Sequence, residues 1–268
     1  FSSFYIGYMI TMALGGYLAD KFGGKLVLGW GVVIWSIFTI FTPLAAHNGL
    51  FALFFIRVLM GIGEGVTFPA WHSLYARWIP FKERTRAIAF TNSGISIGTI
   101  FGFIGTQMII ISFGWEWAFY LFGLAGFVWF FFWNSGVTSF PRQNKNISSS
   151  ELQYIEKNAP SSKPAYKIPF KSLIRNKPFL AIVSATFANN WSLFVFLSFL
   201  PKFMDNELGI PLESSTFVTL MIIPSIISVL ALNAGGYLAD NLIKKGLRVI
   251  KVRKTVNSIG FFGSAICL

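Results

Sequence analysis

The sequence is poor in cysteine, in histidine and in charge. One cysteine, Cys267, leaves no internal disulfide and no cysteine-based metal site. Two histidines, His47 and His72, are too few for a histidine cluster. Of 268 residues only 12% are charged and 54% are hydrophobic, whereas a soluble domain carries about 25% charged residues. Water is therefore the wrong solvent. No phosphate loop, catalytic triad or metal-ligand spacing is present, which argues against an enzyme and against a bound cofactor or metal.

What is there instead is a series of apolar runs, several of 18 or more residues without a charge, long enough to cross a hydrocarbon core about 30 Å thick. They predict an all-α membrane protein with spans over 1–19, 26–46, 51–75, 87–112, 117–137, 178–204 and 214–238, and another beginning near Lys254. The chain opens at Phe1 and closes at Leu268 inside such runs, so both ends are expected to lie within a longer sequence. Between residues 139 and 177 the Ser, Asn, Lys and Pro content predicts a linker holding a short amphipathic helix around 150–158.

The net charge of +12 is not a nucleic-acid stripe. The loops 20–25, 77–86, 139–177 and 240–254 carry +1, +3, +6 and +5, while 47–50, the turn at Glu116 and 202–213 carry 0, −1 and −2. That alternation places the basic loops and the central linker on the cytoplasmic side, or its topological equivalent.

The hexapeptide Gly-Gly-Tyr-Leu-Ala-Asp occurs twice, at 15–20 and 235–240, each time where an apolar run gives way to a basic loop. Six spans separate the two copies. A six-helix unit repeated in parallel orientation predicts a major facilitator fold of two halves, incomplete in this chain, with its site near the bilayer midplane. The expected division is residues 1–138 for the N-terminal half, 139–177 for the linker and 178–268 for the start of the C-terminal half.

Two charges stay inside the membrane, Arg57 and Glu64. Each costs about 2.5 to 3.5 kcal/mol at a helix centre, so such residues face a bundle interior or a wet cavity. Seven residues bring them to nearly one side of a helix, about 10.5 Å apart along the axis. On the functional reading Arg57 receives an anionic group, for which guanidinium geometry suits, and Glu64 titrates or binds a coupling cation. The alternative is an interhelical salt bridge that only fixes packing. Around them stand Gly61, Gly63, Gly65 and Pro69, the last expected to free a carbonyl and kink the helix. Gly94, Gly98 and Gly102 form a small-residue stripe that reads as helix packing. Tyr5 and Tyr8 are either substrate hydroxyls or interfacial aromatics, and Asn189, Asn190 and Asn233 are polar enough to line a cavity. His72 reads as a packing residue.

Taken with Phe4 to Tyr8, the extended junction Gly15 to Lys25, Arg57 to Pro69, Trp78-Ile79-Pro80, Glu83-Arg84, Asn190-Trp191 and Val252 to Gly260, the chain resembles the anion:cation symporter family of major facilitators. That group includes sialin, vesicular glutamate transporters, sodium–phosphate cotransporters and plant plastid anion transporters. The resemblance implies a secondary transporter moving a small anion, inorganic phosphate or an organic anion, with sodium or protons, by alternating access. It implies Arg57 at the substrate, Glu64 in coupling, and Asp20 with Arg84 at a cytoplasmic gate; Tyr5, Tyr8 and Asn190 stand as further substrate candidates on their chemistry, and Asp240, in the second copy of the repeat, as a gate candidate after Asp20. Vesicular glutamate transporters carry a His and an Arg where Phe1 and Asn189 stand here. The wording around Asn190 and Val252 to Gly260 is nearest to the plastid and cyanobacterial-like members. The expected partners are the small anion and the lipid bilayer, with no nucleic acid, and a monomer suffices. The contrasting class is a membrane sensor or scaffold with a transporter fold that binds without translocating.

Overall fold

The computed structural model describes residues 2–80, 83–158, 174–211 and 214–267, and within its helices the side chains of Asp240, Lys244 and Cys267 among others lie outside that description. Residues 159–173 of the expected linker also lie outside the described residues. The described residues are mostly helical. In chain order the α-helices are α1 (Ser2–Phe22), α2 (Gly24–His47), α3 (Leu50–Glu64), α4 (Thr67–Trp78), α5 (Arg84–Phe113), α6 (Trp115–Gly136), α7 (Ser149–Asn158), α8 (Lys177–Asn206), α9 (Ser215–Lys244) and α10 (Val249–Cys267). A 3₁₀ turn, Pro141–Gln143, precedes α7.

Among the described residues six stretches are long and apolar enough to cross a membrane: Gly24–His47, Leu50–Trp78, Arg86–Phe113, Trp115–Gly136, Lys177–Asn206 and Ser215–Ile243. The chain is a multi-pass integral membrane protein. Helix α1, rich in Gly, Ser and Tyr, and α10, with Lys251, Arg253 and Lys254 in its first turns, are less apolar than these.

The helix ends follow from local chemistry. Single glycines at positive φ, Gly23 at 90° and Gly114 at 94°, turn the chain between α1 and α2 and between α5 and α6. Helix α8 starts where the Asn176 side chain accepts from Phe179 N at 3.3 Å with Pro178 in the first turn, and α9 where Ser214 Oγ accepts from Phe217 N at 3.1 Å. Ser148 caps α7 in the same way, accepting from Glu151 N at 3.2 Å.

The expected third span is one apolar run but two helices. Gly65 and Val66 form a turn between α3 and α4, because Pro69 has no N–H for the Gly65 carbonyl. The helical path resumes at once, with Ala70 N on Val66 O at 3.0 Å. This break lies one residue beyond Glu64.

The chain divides into two compact units, Phe1–Arg84 with Thr106–Glu213, and Thr85–Gly105 with Ser214–Leu268. In the first unit α3 packs against both α1 and α2, and α2 also against α6. Its core is Ala19, Leu28, Val32 and Ala70, flanked by Val27, Trp35, Trp71 and Trp133. The α1–α3 crossing is backbone on backbone: a Cβ on Gly61 would collide with the Phe4 carbonyl, and one on Gly7 with the Val58 carbonyl. In the second unit α9 packs on α10 and buries Phe217, Val218, Met221 and Val252.

The glycine stripe on α5 differs from its expected packing role. Among the described residues no atom lies within 4 Å of a Cβ built on Gly94, Gly98 or Gly102. Small side chains permit close approach there, but among the described residues it is the glycines of the α1–α3, α2–α3 and α2–α6 crossings that realise it.

Candidate functional site

Helix α3 carries both intramembrane charges, and its packing decides what surrounds them. Because Gly61 and Gly65 face α1 without side chains, the backbone of Phe4 and Tyr8 sits directly against them, beside the turn that carries Glu64. Tyr5, Tyr8 and Glu64 are each partly buried. Among the described residues Glu64 has no ion pair and no hydrogen bond, and it does not meet Arg57. The interhelical salt bridge offered as the alternative is absent there.

Arg57, one to two turns before the glycines, is also partly buried, and its guanidinium carbon lies 6.0 Å from the centroid of the Phe119 ring on α6. A cation over an aromatic face keeps its N–H edge available, so an anion can approach in the guanidinium plane.

A second aromatic contact extends the site. The Tyr5 ring meets Phe194 of α8 edge to face, with centroids 4.9 Å apart. Asn190 stands four residues earlier on that helix, on the same face, exposed and without a hydrogen bond among the described residues. Tyr5, Tyr8 and Glu64 are thus brought together, Arg57 lies along the same helix, and Asn190 is linked to them through Phe194. Asn233 is turned back onto the Val229 carbonyl at 2.7 Å, and His72 Nδ1 onto the Phe68 carbonyl at 2.7 Å.

At the basic end the neighbour of the repeat junction is Arg77. The Asp20 carboxylate lies 3.9 Å from Arg77, whose Nη2 also donates to the carbonyls of Ala19 and Asp20 at 3.4 and 3.3 Å. Arg84 instead donates to the carbonyls of Tyr75, Ala76 and Ile79 at the end of α4, at 3.4 to 3.5 Å. Asp240 has a described backbone in α9, while its side chain is outside the described residues. Sequence reasoning counted Arg77 only as loop charge and passed over Phe119 and Phe194. Arg77 was findable as the basic residue in the last turn of α4, whereas two phenylalanines among 31 carried no signal.

The segment after α6 folds back onto this end. Trp78 Nε1 donates to Thr138 O at 3.0 Å, Trp133 Nε1 to Lys25 O at 3.0 Å, and Lys25 Nζ to Asn134 O at 2.7 Å. Ser139, Pro141 and Ile155 are buried, Tyr154 donates to Glu83 Oε1 at 2.6 Å, and Arg142 pairs with both carboxylate oxygens of Glu156. That pairing holds the Glu156 carboxyl below its ordinary value, and the Glu83 carboxylate pushes the Tyr154 phenol up. Among the described residues no group of three His, Cys, Asp or Glu side chains converges as a metal site would require.

The profile of the Major Facilitator Superfamily matches residues 1–268. "Probable anion transporter 4, chloroplastic" of Oryza sativa subsp. japonica is 40% identical over 100% of this chain and 45% of its own length. "Ascorbate transporter, chloroplastic" of Arabidopsis thaliana is 40% identical over 100% of this chain and 49% of its own length. "Sodium-dependent phosphate transport protein 1, chloroplastic", also of Arabidopsis thaliana, is 38% identical, over 100% and 52% respectively. The chain spans about half the length of the curated relatives it matches. Among solved structures, a D-xylose-proton symporter superposes with a TM-score of 0.60 at 18% identity, covering 91% of this chain and 57% of that one, which bears on the fold alone.

Proposed function

The chain belongs to the Major Facilitator Superfamily, and from that premise we propose that the protein moves a small anion, inorganic phosphate or an organic anion, across a membrane by cation-coupled symport. The observation that carries this reading is the pair of intramembrane charges on α3, which do not neutralise each other. A cation and an acid held in apolar surroundings without a mutual ion pair need ligands, and a coupled anion and cation supply them.

In this reading Arg57 receives the anion, Tyr5, Tyr8 and Asn190 offer hydroxyl and amide groups around it, and Glu64 takes the coupling proton or sodium. Both families of relative, the phosphate and the ascorbate transporter by their printed names, handle anions, which supports the substrate class. Transport follows from rocking of the two halves, residues 1–138 and 178 onward, about a midplane site. The basic loops and the linker face the cytoplasm or its equivalent, Asp20, Arg84 and Asp240 belong to the gate on that side, and the protein works as a monomer.

The test is reconstitution of the full-length protein into liposomes, with labelled phosphate and ascorbate offered under sodium and proton gradients. Uptake of at least one anion, driven by one gradient and lost in Arg57→Ala, is expected. Binding without counterflow exchange would show a scaffold instead, and gradient-driven uptake retained in Arg57→Ala would remove the role given to that residue.

A further inference from the structure

An apolar wedge lies between α1 and α2. The two helices meet at the Gly23 turn, and α3 packs against both, so that its residues Ile62 and Gly63, with Val66 of the turn that follows it, form a floor between them. The resulting wedge has a volume of about 420 Å³, and its walls include Leu18, Phe22, Leu26 and Trp30. Phe22, Leu26 and Trp30 are 54%, 49% and 58% exposed, so the wedge is open sideways along its length. Its one hydroxyl, on Thr11, donates to the Gly7 carbonyl at 3.0 Å and presents no free donor to an occupant.

Length and charge identify the occupant. Eleven residues of α1 separate Phe22 from Thr11, about 16 Å of helix at 1.5 Å per residue. That is close to half of a hydrocarbon core about 30 Å thick, the depth of one leaflet. Thr11 lies near the middle of the 21-residue α1, so the wedge runs from the basic surface to the bilayer midplane. At its surface end the Lys21 ammonium lies 5.3 Å from the centroid of Phe22, the residue that forms the wall beneath it, and 5.8 Å from that of Tyr17.

The neighbouring charges leave Lys21 as the available cation. Lys25 is held by the Asn134 carbonyl at 2.7 Å, and the Asp20 carboxylate is offset by Arg77 at 3.9 Å. Lys21 is exposed and has no ion pair among the described residues. We propose that the wedge between α1 and α2 holds an acyl chain of an anionic phospholipid from the basic-side leaflet, with its headgroup phosphate on Lys21.

The test uses the full-length protein in nanodiscs doped with phosphatidylglycerol or phosphatidylcholine bearing a diazirine on the acyl chain, with mapping of the labelled peptides. The phosphatidylglycerol probe is expected to label the 18–34 region about fivefold more than the phosphatidylcholine probe, the factor one lysine at a membrane surface supplies. Lys21→Gln lowers phosphatidylglycerol labelling to the phosphatidylcholine level, and Leu18→Trp, which fills the wedge, lowers both. Melting temperatures near wild type confirm that the variants are folded. Equal labelling by the two probes, or labelling unchanged in Lys21→Gln, overturns the anionic headgroup. Absence of label from 18–34 with either probe means that a segment of protein covers the wedge, and overturns the lipid.

Discussion

The Arg77 guanidinium stands 3.9 Å from the Asp20 carboxylate, but its closer contacts are to the backbone. The same nitrogen lies 3.4 and 3.3 Å from the carbonyls of Ala19 and Asp20 in the last turn of α1, the first of which also accepts from Gly23 N at 3.0 Å and from Ser73 Oγ at 3.4 Å. Its guanidinium carbon lies 4.4 Å from the Phe140 ring centroid. The residue therefore closes α1, α4 and the segment after α6 together. Its side chain is 14% exposed against 66% for Asp20.

That difference in burial ranks two substitutions. Arg77→Ala strips charged hydrogen bonds from partly buried carbonyls and is expected to cost about 1–3 kcal/mol. Asp20→Asn removes an exposed ion pair and should cost about 0–1 kcal/mol. Arg77→Lys should not recover the loss, since an ammonium cannot stack on Phe140 as a planar guanidinium does. Thermal melting in detergent measures all three. An Asp20→Asn variant as unstable as Arg77→Ala would mean that the ion pair, not the capping, holds this end.

The α1–α3 crossing makes a sharper demand. Gly7 sits against the Val58 carbonyl and Gly61 against the Phe4 carbonyl, so the same interhelical gap is set twice. Gly61→Ala must push the helices apart, at a cost of about 1–3 kcal/mol. Adding Gly7→Ala should cost less than the sum, because one separation relieves both clashes. Gly98→Ala on α5, with open space around it, is expected to be neutral or to stabilise by up to about 1 kcal/mol through helix propensity. Folded yield and melting temperature distinguish the two groups.

These cases show where the sequence was readable. The apolar runs and the six-span spacing between the two Gly-Gly-Tyr-Leu-Ala-Asp copies follow from the bilayer thickness, which acts on every residue alike, so the fold class could be read without coordinates. Arg57 and Glu64 stood out for the same reason, as charges where charge is costly. Packing partners were not readable in this way. A glycine stripe signals permission for close approach, and whether a helix takes it depends on what lies opposite, so Gly61 packs while Gly94 does not. Arg77 and Arg84 are equally basic in sequence, and only the packing of α4 against α1 shows that Arg77 stands beside Asp20.

Docking of α7 is predicted to depend on pH from both sides. The Glu156 carboxyl is held below its ordinary 4.5 by Arg142, so its contribution is present above that value and is lost as pH falls through the lowered one. The Tyr154 phenol is raised above its ordinary 10.0 by Glu83, so its hydrogen bond is present below that value and is lost as pH rises through the raised one. Amide hydrogen exchange across Ser149–Asn158, normalised for intrinsic rates, should show protection between these limits and loss beyond each. Arg142→Gln should abolish the acid-side transition only, and Tyr154→Phe the alkaline one only. Because both pairs are exposed, added salt should weaken the Arg142 pair as well.

The α3 charges permit binding and coupling to be separated. If Glu64 carries the coupling ion, Glu64→Gln should still exchange anion for anion in counterflow, since that mode needs no net cation movement, while gradient-driven accumulation disappears. Arg57→Ala should lose both. Phe119→Leu leaves the guanidinium in place but removes the ring 6.0 Å from its carbon. A cation–π contact is worth about 0.5–1 kcal/mol at such sites, so KM for the anion should rise about two- to fivefold. Radiotracer uptake and counterflow in the same proteoliposomes measure all three variants. Loss of counterflow in Glu64→Gln would move that residue from coupling to anion binding, and an unchanged KM in Phe119→Leu would leave Arg57 positioned by its own helix alone.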